Sequence, residues 1–332
     1  MSQSAKKVIM LGDINVDNIW PVPAIPKPGR DGLVDTVKME TGGAILNSTI
    51  LLDRLGVATT LLGCVGEDIW ADYVRRALAA TGIDLSALQT TCDANTGLDF
   101  ILVTPDGERT MFGYRGANKM LEAKKIDASV FDDTGLLHIS GYALLEAPQS
   151  DAVLEAVQIA NEHDIPVSID TGLEPVLRNK DGFLEILPAL GICISGVAEV
   201  DALLGAETDA EAAEKLIDAG VGLAAIKLGK EGSLLMGRDE TVRCPAFAVE
   251  TVDTTGAGDA YSAGIIYGFI HGLSLGATGM LASALGALAT TVDGAGFALP
   301  GRDELARFLA ETDWPVIEGG AQIRDDILTL IC

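Results

Sequence analysis

The densest run of residues able to do chemistry is Val252-Asp-Thr-Thr-Gly-Ala-Gly-Asp-Ala-Tyr-Ser-Ala-Gly264. Its small residues let the backbone turn tightly so that successive N–H groups converge. An apolar helical pattern beginning near Ala257 adds the positive end of a helix. Such a nest, Gly256-Ala257-Gly258, suits developing negative charge, as on a phosphoryl group in transfer. Asp259 falls in the first turn of that helix. An isolated acid there is ordinarily a favourable N-terminal charge and nothing more. Beside an anion nest it can also take the proton of a hydroxyl that attacks phosphorus.

Three shorter segments offer ligands. In Thr41-Gly-Gly-Ala-Ile-Leu-Asn47, the paired Gly42 and Gly43 suit a hinge or a close approach to a ligand. Asn47 either donates to a hydroxyl or caps locally. In Gly12-Asp-Ile-Asn-Val-Asp17, alternate polar side chains share one face of an extended segment, so Asp13, Asn15 and Asp17 could converge on a polyol. That spacing imitates a calcium loop, but Asn18 stands where glycine is needed and Ala24 where glutamate is needed. Tyr114-Arg-Gly-Ala-Asn118 brings Arg115 to the end of a strand. Its guanidinium would match a carboxylate or phosphate, or else serve on the surface or against a nucleotide.

Other chemistries fail on their own requirements. No G-x-x-x-x-G-K-[ST] occurs, and no G-x-G-x-x-G follows the first strand. Gly272-Leu-Ser-Leu-Gly276 fits a nucleophile elbow, yet no histidine follows His271 to complete a triad. The histidines are scattered, and the five cysteines (Cys64, Cys92, Cys193, Cys244, Cys332) never form C-x-x-C, so neither zinc nor a disulfide framework is expected. The 332 residues carry a formal charge of −25, which repels phosphate backbones and argues against nucleic acid as a partner. A start of Met-Ser-Gln-Ser-Ala-Lys-Lys lacks a signal-peptide core, and with these thiols a reducing cytoplasm is expected.

The residues above need elements to hold them. Near-continuous apolar runs at Val8–Gly12, Thr59–Val65, Leu136–Ser140, Ile165–Asp170, Ile192–Ser195 and Leu223–Leu228 predict strands buried on both faces. Helical spacing at Ala44–Leu55, Ala71–Thr81, Ser150–His163 and Ala210–Ala219 falls between them. The alternation predicts an α/β fold, a doubly wound, mostly parallel sheet with helices on both faces. Leu33–Glu40, Leu98–Val103 and Thr110–Tyr114 instead alternate apolar and polar residues, which predicts a small antiparallel sheet standing out as a lid. Ala260–Val292 holds no charged residue but six glycines, and reads as two buried helices joined by a Gly-Leu-Ser turn, not as a membrane span.

Two spaced motifs, Gly42-Gly43 with Asn47 and Asp253-Thr-Thr-Gly-Ala-Gly-Asp259, make the chain resemble the ribokinase-like carbohydrate kinases, the phosphofructokinase-B family. The resemblance runs from Val8 to about Ala310. It implies one kinase domain over 1–314 with lid strands inserted at about 33–43 and 97–115, and a C-terminal extension over 315–332. It implies that Asp259 is the catalytic base and that Gly256, Ala257 and Gly258 form the anion hole. Asn15, Asp17, Gly42, Gly43 and Asn47 would hold sugar hydroxyls. Lys227, Gly229 and Gly232 would lie near ATP, with Gly294 and Gly296 in a loop closing over adenine. Glu199 would organise magnesium through water, although Gly196 stands where the family's N-x-x-E element has asparagine. Ser283 likewise replaces an asparagine common near the adenine. Asp253 and Thr255 would hold a monovalent cation, potassium, the alternative being that Asp253 only caps its turn.

The expected activity is ATP-dependent phosphorylation of a neutral pentose or ketohexose. A 2-keto-3-deoxygluconate kinase, a nucleoside kinase and, more remotely, a non-catalytic sugar-binding regulator are the alternatives. Exposed lid strands with an apolar face also predict a homodimer formed through the lid.

Overall fold

The computed structural model describes residues 6–331. The leader reading of residues 1–5 and the thiol of Cys332 lie outside the described residues. The strands are β1 (Lys7–Leu11), β2 (Asn15–Pro21), β3 (Lys38–Gly42), β4 (Thr59–Gly66), β5 (Leu88–Thr91), β6 (Gly97–Val103), β7 (Arg109–Tyr114), β8 (Thr134–Ser140), β9 (Val167–Asp170), β10 (Ile192–Gly196), β11 (Leu223–Lys227), β12 (Ser233–Gly237) and β13 (Thr241–Cys244). Nine of them form one sheet in the order β13-β12-β11-β10-β9-β8-β1-β4-β5. Neighbours are parallel from β11 to β5, while β12 and β13 add an antiparallel edge.

Strand burial explains the apolar runs. In β1, Val8 and Met10 face a layer that includes the Ala44–Arg54, Ala257–Ile270 and Leu275–Ala289 helices. Ile9 and Leu11 face the opposite layer, with the Gln149–Glu162 and Asp209–Asp218 helices. Both faces are dry, so alternation vanishes from the sequence.

The uncharged Ala260–Val292 stretch is the predicted pair of buried helices. A Cβ placed on Gly264 would stand 2.5 Å from Ala282 Cα, so glycine is what lets the two helices touch. Ser274, the serine of the elbow-like motif, caps the second helix by accepting from Ala277 N–H at 3.2 Å. Among the described residues, no helix is long and apolar enough to cross a membrane. The Gly320–Ile331 helix packs into the same layer through Ile323, Ile327 and Ile331. Arg302 donates to the carbonyls of Leu330 and Ile331 at 2.8 Å each, so this segment is stitched to the core.

The small sheet, β3-β2-β6-β7, departs from expectation in three ways. Asn15 and Asp17, expected only on the extended Gly12–Asp17 segment, belong to a lid strand of their own, Asn15–Pro21. The β2–β6 pair is parallel, so the lid is mixed and not purely antiparallel. The predicted Leu33–Glu40 strand begins only at Lys38, with Leu33 at 89% exposure. Beyond Ile19↔Lys38 the partner strand runs into Trp20 and Pro21, and proline has no N–H to donate to the ladder.

Candidate active site

Polar residues gather where the parallel strands end. Ser140 closes β8, Asp170 closes β9, Lys227 closes β11, and Asp13 follows β1. Ligands of open α/β sheets bind outside these carboxyl ends. A cleft of about 160 Å³ opens there, lined by Ser48, His138, Asp170, Lys227, Gly258 and Asp259 among others.

The cleft is floored by the start of the Ala257–Ile270 helix. Gly256 sits at its N-cap with φ +74°, a left-handed conformation that glycine adopts without strain. The N–H groups of Gly256 and Gly258 find no acceptor among the described residues, and Gly258 opens onto free space. Ala257 differs from expectation, because its N–H turns back to Thr254 O at 3.2 Å. Asp259 Oδ2 accepts from Asn47 Nδ2 at 2.7 Å, and Ser48 Oγ donates to the Asp259 carbonyl at 3.0 Å. Burial pushes the Asp259 carboxyl up to about 6, with the Asn47 bond working the other way and Asp170 adding to the rise.

Opposite lies a pair that the sequence reading only half found. Lys227 Nζ donates to Asp170 Oδ1 at 2.7 Å, and Ser262 Oγ donates to Asp170 Oδ2 at 2.7 Å. Burial works against the Lys227 ammonium, but Asp170 beside it and Glu199 beyond hold its pKa above the ordinary lysine value. Lys227 is therefore a fixed positive charge in the cleft. Asp170 escapes the sequence reading although it ends the strand expected over Ile165–Asp170, which the fold shortens to Val167–Asp170. A charged residue at the carboxyl end of a buried parallel strand is the signal that would have found it. His138 also lines the cleft; burial lowers its pKa to about 4, so it is neutral and shares a 2.6 Å hydrogen bond with Ser168.

On the lid side, Asn15 and Asp17 share one face of β2, as alternation requires. A Cβ on Gly42 would collide with the Asp17 carboxylate, and one on Gly43, whose φ is +96°, would collide with the Asp13 carbonyl. The glycine doublet is thus what lets β3 fold down over Asp17. Asp17 Oδ1 is buried with no partner, and burial, reinforced by Asp99, raises its carboxyl to about 7.

Asp13 does not converge with these two. It takes Arg115 Nε at 2.8 Å, Arg115 Nη2 at 2.9 Å and Gln149 Nε2 at 2.8 Å. Arg115 also bonds Tyr142 O at 2.8 Å, Glu146 at 3.3 Å and the Gln149 side-chain carbonyl. The guanidinium ties the root of the lid to the core, and each of its three nitrogens is engaged there.

The remaining expected ligands fall in three groups. Asp253 Oδ1 accepts from Thr255 N–H at 3.0 Å and Thr255 Oγ1 at 2.7 Å, and Oδ2 accepts from Gly294 N–H at 3.0 Å. Arg109 of β7 approaches Oδ1 at 3.6 Å. Gly296, in the same loop as Gly294, packs beside Thr41 and Asn47. Glu199 gathers Thr171 Oγ1 at 2.7 Å, Ser195 Oγ at 3.0 Å and Gly196 N–H at 2.5 Å, all on Oε2. Gly229 begins the turn after β11 at φ +57° with open space beside it. Gly232 instead ends that turn pressed against the Cys244 carbonyl, a packing requirement.

Known proteins resemble this chain in sequence and fold. A ribokinase of Haemophilus influenzae is 28% identical over 312 residues, covering 92% of this chain and 98% of its own. An aminoimidazole riboside kinase of Salmonella typhimurium is 29% identical over 321 residues, covering 93% and 96%. Among solved structures, a protein proposed to be ribokinase II from Escherichia coli, in complex with ATP and Mg2+, superposes with a TM-score of 0.83 at 26% identity, covering 92% of this chain and 99% of that one. Residues 5–302 match the pfkB family carbohydrate kinase domain. With that domain spanning nearly its whole length, the chain belongs to the pfkB family and is a carbohydrate kinase.

Proposed function

We propose that the protein transfers the γ-phosphoryl group of ATP to a hydroxyl of a small neutral sugar, a pentose or ketohexose, with Asp259 as general base. The observation that carries this reading is Asp259 itself. Its carboxylate shares a cleft with the helix-terminal nest, whose Gly256 and Gly258 N–H groups find no acceptor among the described residues, and with the Lys227 ammonium.

In this reading Asn47 holds Oδ2, which leaves Oδ1 to face the acceptor. The acceptor O–H proton passes to Oδ1 as the oxygen bonds to the γ-phosphorus. The bond from that phosphorus to the β,γ-bridging oxygen breaks, and ADP leaves with the electron pair. The amides of Gly256 and Gly258 and the helix dipole meet the charge that spreads over the equatorial oxygens. Lys227, locked by Asp170, supplies a fixed cation on the nucleotide side.

Glu199 Oε1 accepts none of the three donors gathered on Oε2, so it fits the task of holding water around a magnesium ion brought by the nucleotide. Such an ion, when bound, neutralises phosphate charge. Asp253 fits a potassium ion less well. Its oxygens already accept three donors and face the Arg109 guanidinium, which leaves them little to offer a cation.

Engagement of the Arg115 guanidinium by Asp13, Glu146, Gln149 and Tyr142 favours a neutral acceptor over 2-keto-3-deoxygluconate, whose carboxylate calls for a cation. The test is ADP release from ATP and magnesium in the presence of ribose, fructose, 2-keto-3-deoxygluconate and adenosine. A neutral sugar with the highest kcat/KM supports the reading. Adenosine as best acceptor would make the protein a nucleoside kinase, and release independent of any acceptor would sink the reading.

A further inference from the structure

Asp99 of β6 stands directly opposite Asp17 of β2, and Glu40 of β3 stands opposite Asp17 on its other side. Residues opposite one another in a ladder project from the same face. Glu40, Asp17 and Asp99 therefore form a row of carboxylates on the lid face that also carries Asn15. Like charges in that position work against the sheet, so folding alone gives no reason for Asp99.

Asp99 is nevertheless held in place. Asn15 Nδ2 donates to Asp99 Oδ2 at 2.8 Å, Asn118 Nδ2 donates to Asn15 Oδ1 at 2.7 Å, and Asn118 Oδ1 accepts from Ile14 N–H at 2.8 Å. The chain anchors the carboxylate to the backbone just beyond β1. Asp99 Oδ1 accepts no hydrogen bond among the described residues, and bare Gly113 on β7 leaves it room. The row thus offers two unshared acceptors, Asp17 Oδ1 and Asp99 Oδ1.

The surrounding charges sharpen the chemistry. Arg115 is spent on Asp13, Glu146 and Gln149, Lys38 pairs with Asp293 at 2.8 Å, and Arg109 leans to Asp253. Asp259 across the cleft and Asp13 below add further negative charge. An anionic ligand would meet Asp17, Asp99 and Glu40 with only the Arg109 guanidinium acting against them, so carboxylates outnumber cations there, whereas hydroxyls would find acceptors.

We propose that Asp99 is a second acceptor-binding carboxylate, and that with Asp17 it restricts the site to uncharged polyhydroxy acceptors and turns away those bearing a carboxylate. The proposal rests on the kinase reading above. Its test compares wild type with Asp99→Asn, which keeps an oxygen for Asn15, and with Asp99→Ala. Steady-state kinetics with ribose, fructose and 2-keto-3-deoxygluconate are paired with calorimetric binding of the same sugars. Both variants are expected to raise the acid-to-neutral ratio of kcat/KM at least tenfold, chiefly through KM, and to raise the ratio of binding constants in parallel. A ratio unchanged within twofold, a wild type that already prefers the acid, or a wild type that binds none of the three overturns the proposal. Binding without turnover would instead remove the kinase reading, and the binding ratio would still decide the role of Asp99.

Discussion

Asn47 Nδ2 lies 2.7 Å from Asp259 Oδ2, joining the helix that follows the Gly42–Gly43 doublet to the helix that carries Asp259. The bond occupies Oδ2, leaves Oδ1 for the proposed acceptor and favours the ionised form. Burial has pushed Asp259 up to about 6 against that bond.

The sign of the pH dependence follows. A base must be deprotonated, so kcat/KM is expected to rise with pH through about 6 and level off above it. Asn47→Leu removes the donor, so the midpoint should move upward by about one pH unit. Activity at pH 6 should therefore suffer more than activity at pH 8. A pH–rate profile of both proteins checks this, and parallel profiles would show that Asn47 does not act through Asp259.

Arg115 is expected to matter for stability more than for choice of acceptor. Arg115→Ala leaves Asp13, which is only 6% exposed, without its charged partner. A loss of about 2–3 kcal/mol in denaturant unfolding should follow, with the acid-to-neutral preference unchanged. A fully stable variant that alone lost binding of an acidic sugar would return Arg115 to the ligand list.

The lid shows an apolar outer face. Met39, Phe100 and Phe112 are opposite one another across β3, β6 and β7, with Asn18 of β2 between them, and are 38%, 41% and 67% exposed. Unpartnered edges and faces of this kind are normally covered. Light scattering is expected to give a dimer that Phe112→Asp converts to a monomer. A wild type that is monomeric at working concentration would count against lid pairing.

Potassium should have little influence. With three donors and Arg109 around Asp253, exchanging potassium for a bulky organic cation is expected to change turnover by less than about twofold. Clear activation by potassium would show that the Asp253 loop makes room for an ion.

Legibility in the sequence tracked the physics of each element. The parallel strands were readable because burial on both faces removes polar residues from them, as in Val8–Leu11. β2 was not, because Asn15 to Pro21 mixes ligands with apolar residues directly after β1, and one extended stretch hides two strands. The proposed base and its nest are visible as a contiguous string, Gly256 to Asp259. Asp170, Asp99 and Arg109 were invisible because their partners lie 57, 84 and 144 positions away, on other strands or loops. Arg115 was legible as a charged lid residue, but only the fold shows that Asp13, distant in sequence, claims it.

The central claim is that Asp259 takes the acceptor proton, and Asp259→Asn tests it most directly. The substitution keeps the side-chain volume, an oxygen able to accept from Asn47, and the nest. Turnover with the best neutral sugar, measured beside calorimetric binding of ATP and of that sugar, separates chemistry from affinity. Turnover is expected to fall by about two to four orders of magnitude while both affinities stay within a few-fold of wild type. Near-normal turnover in a variant that binds both substrates would contradict the assignment.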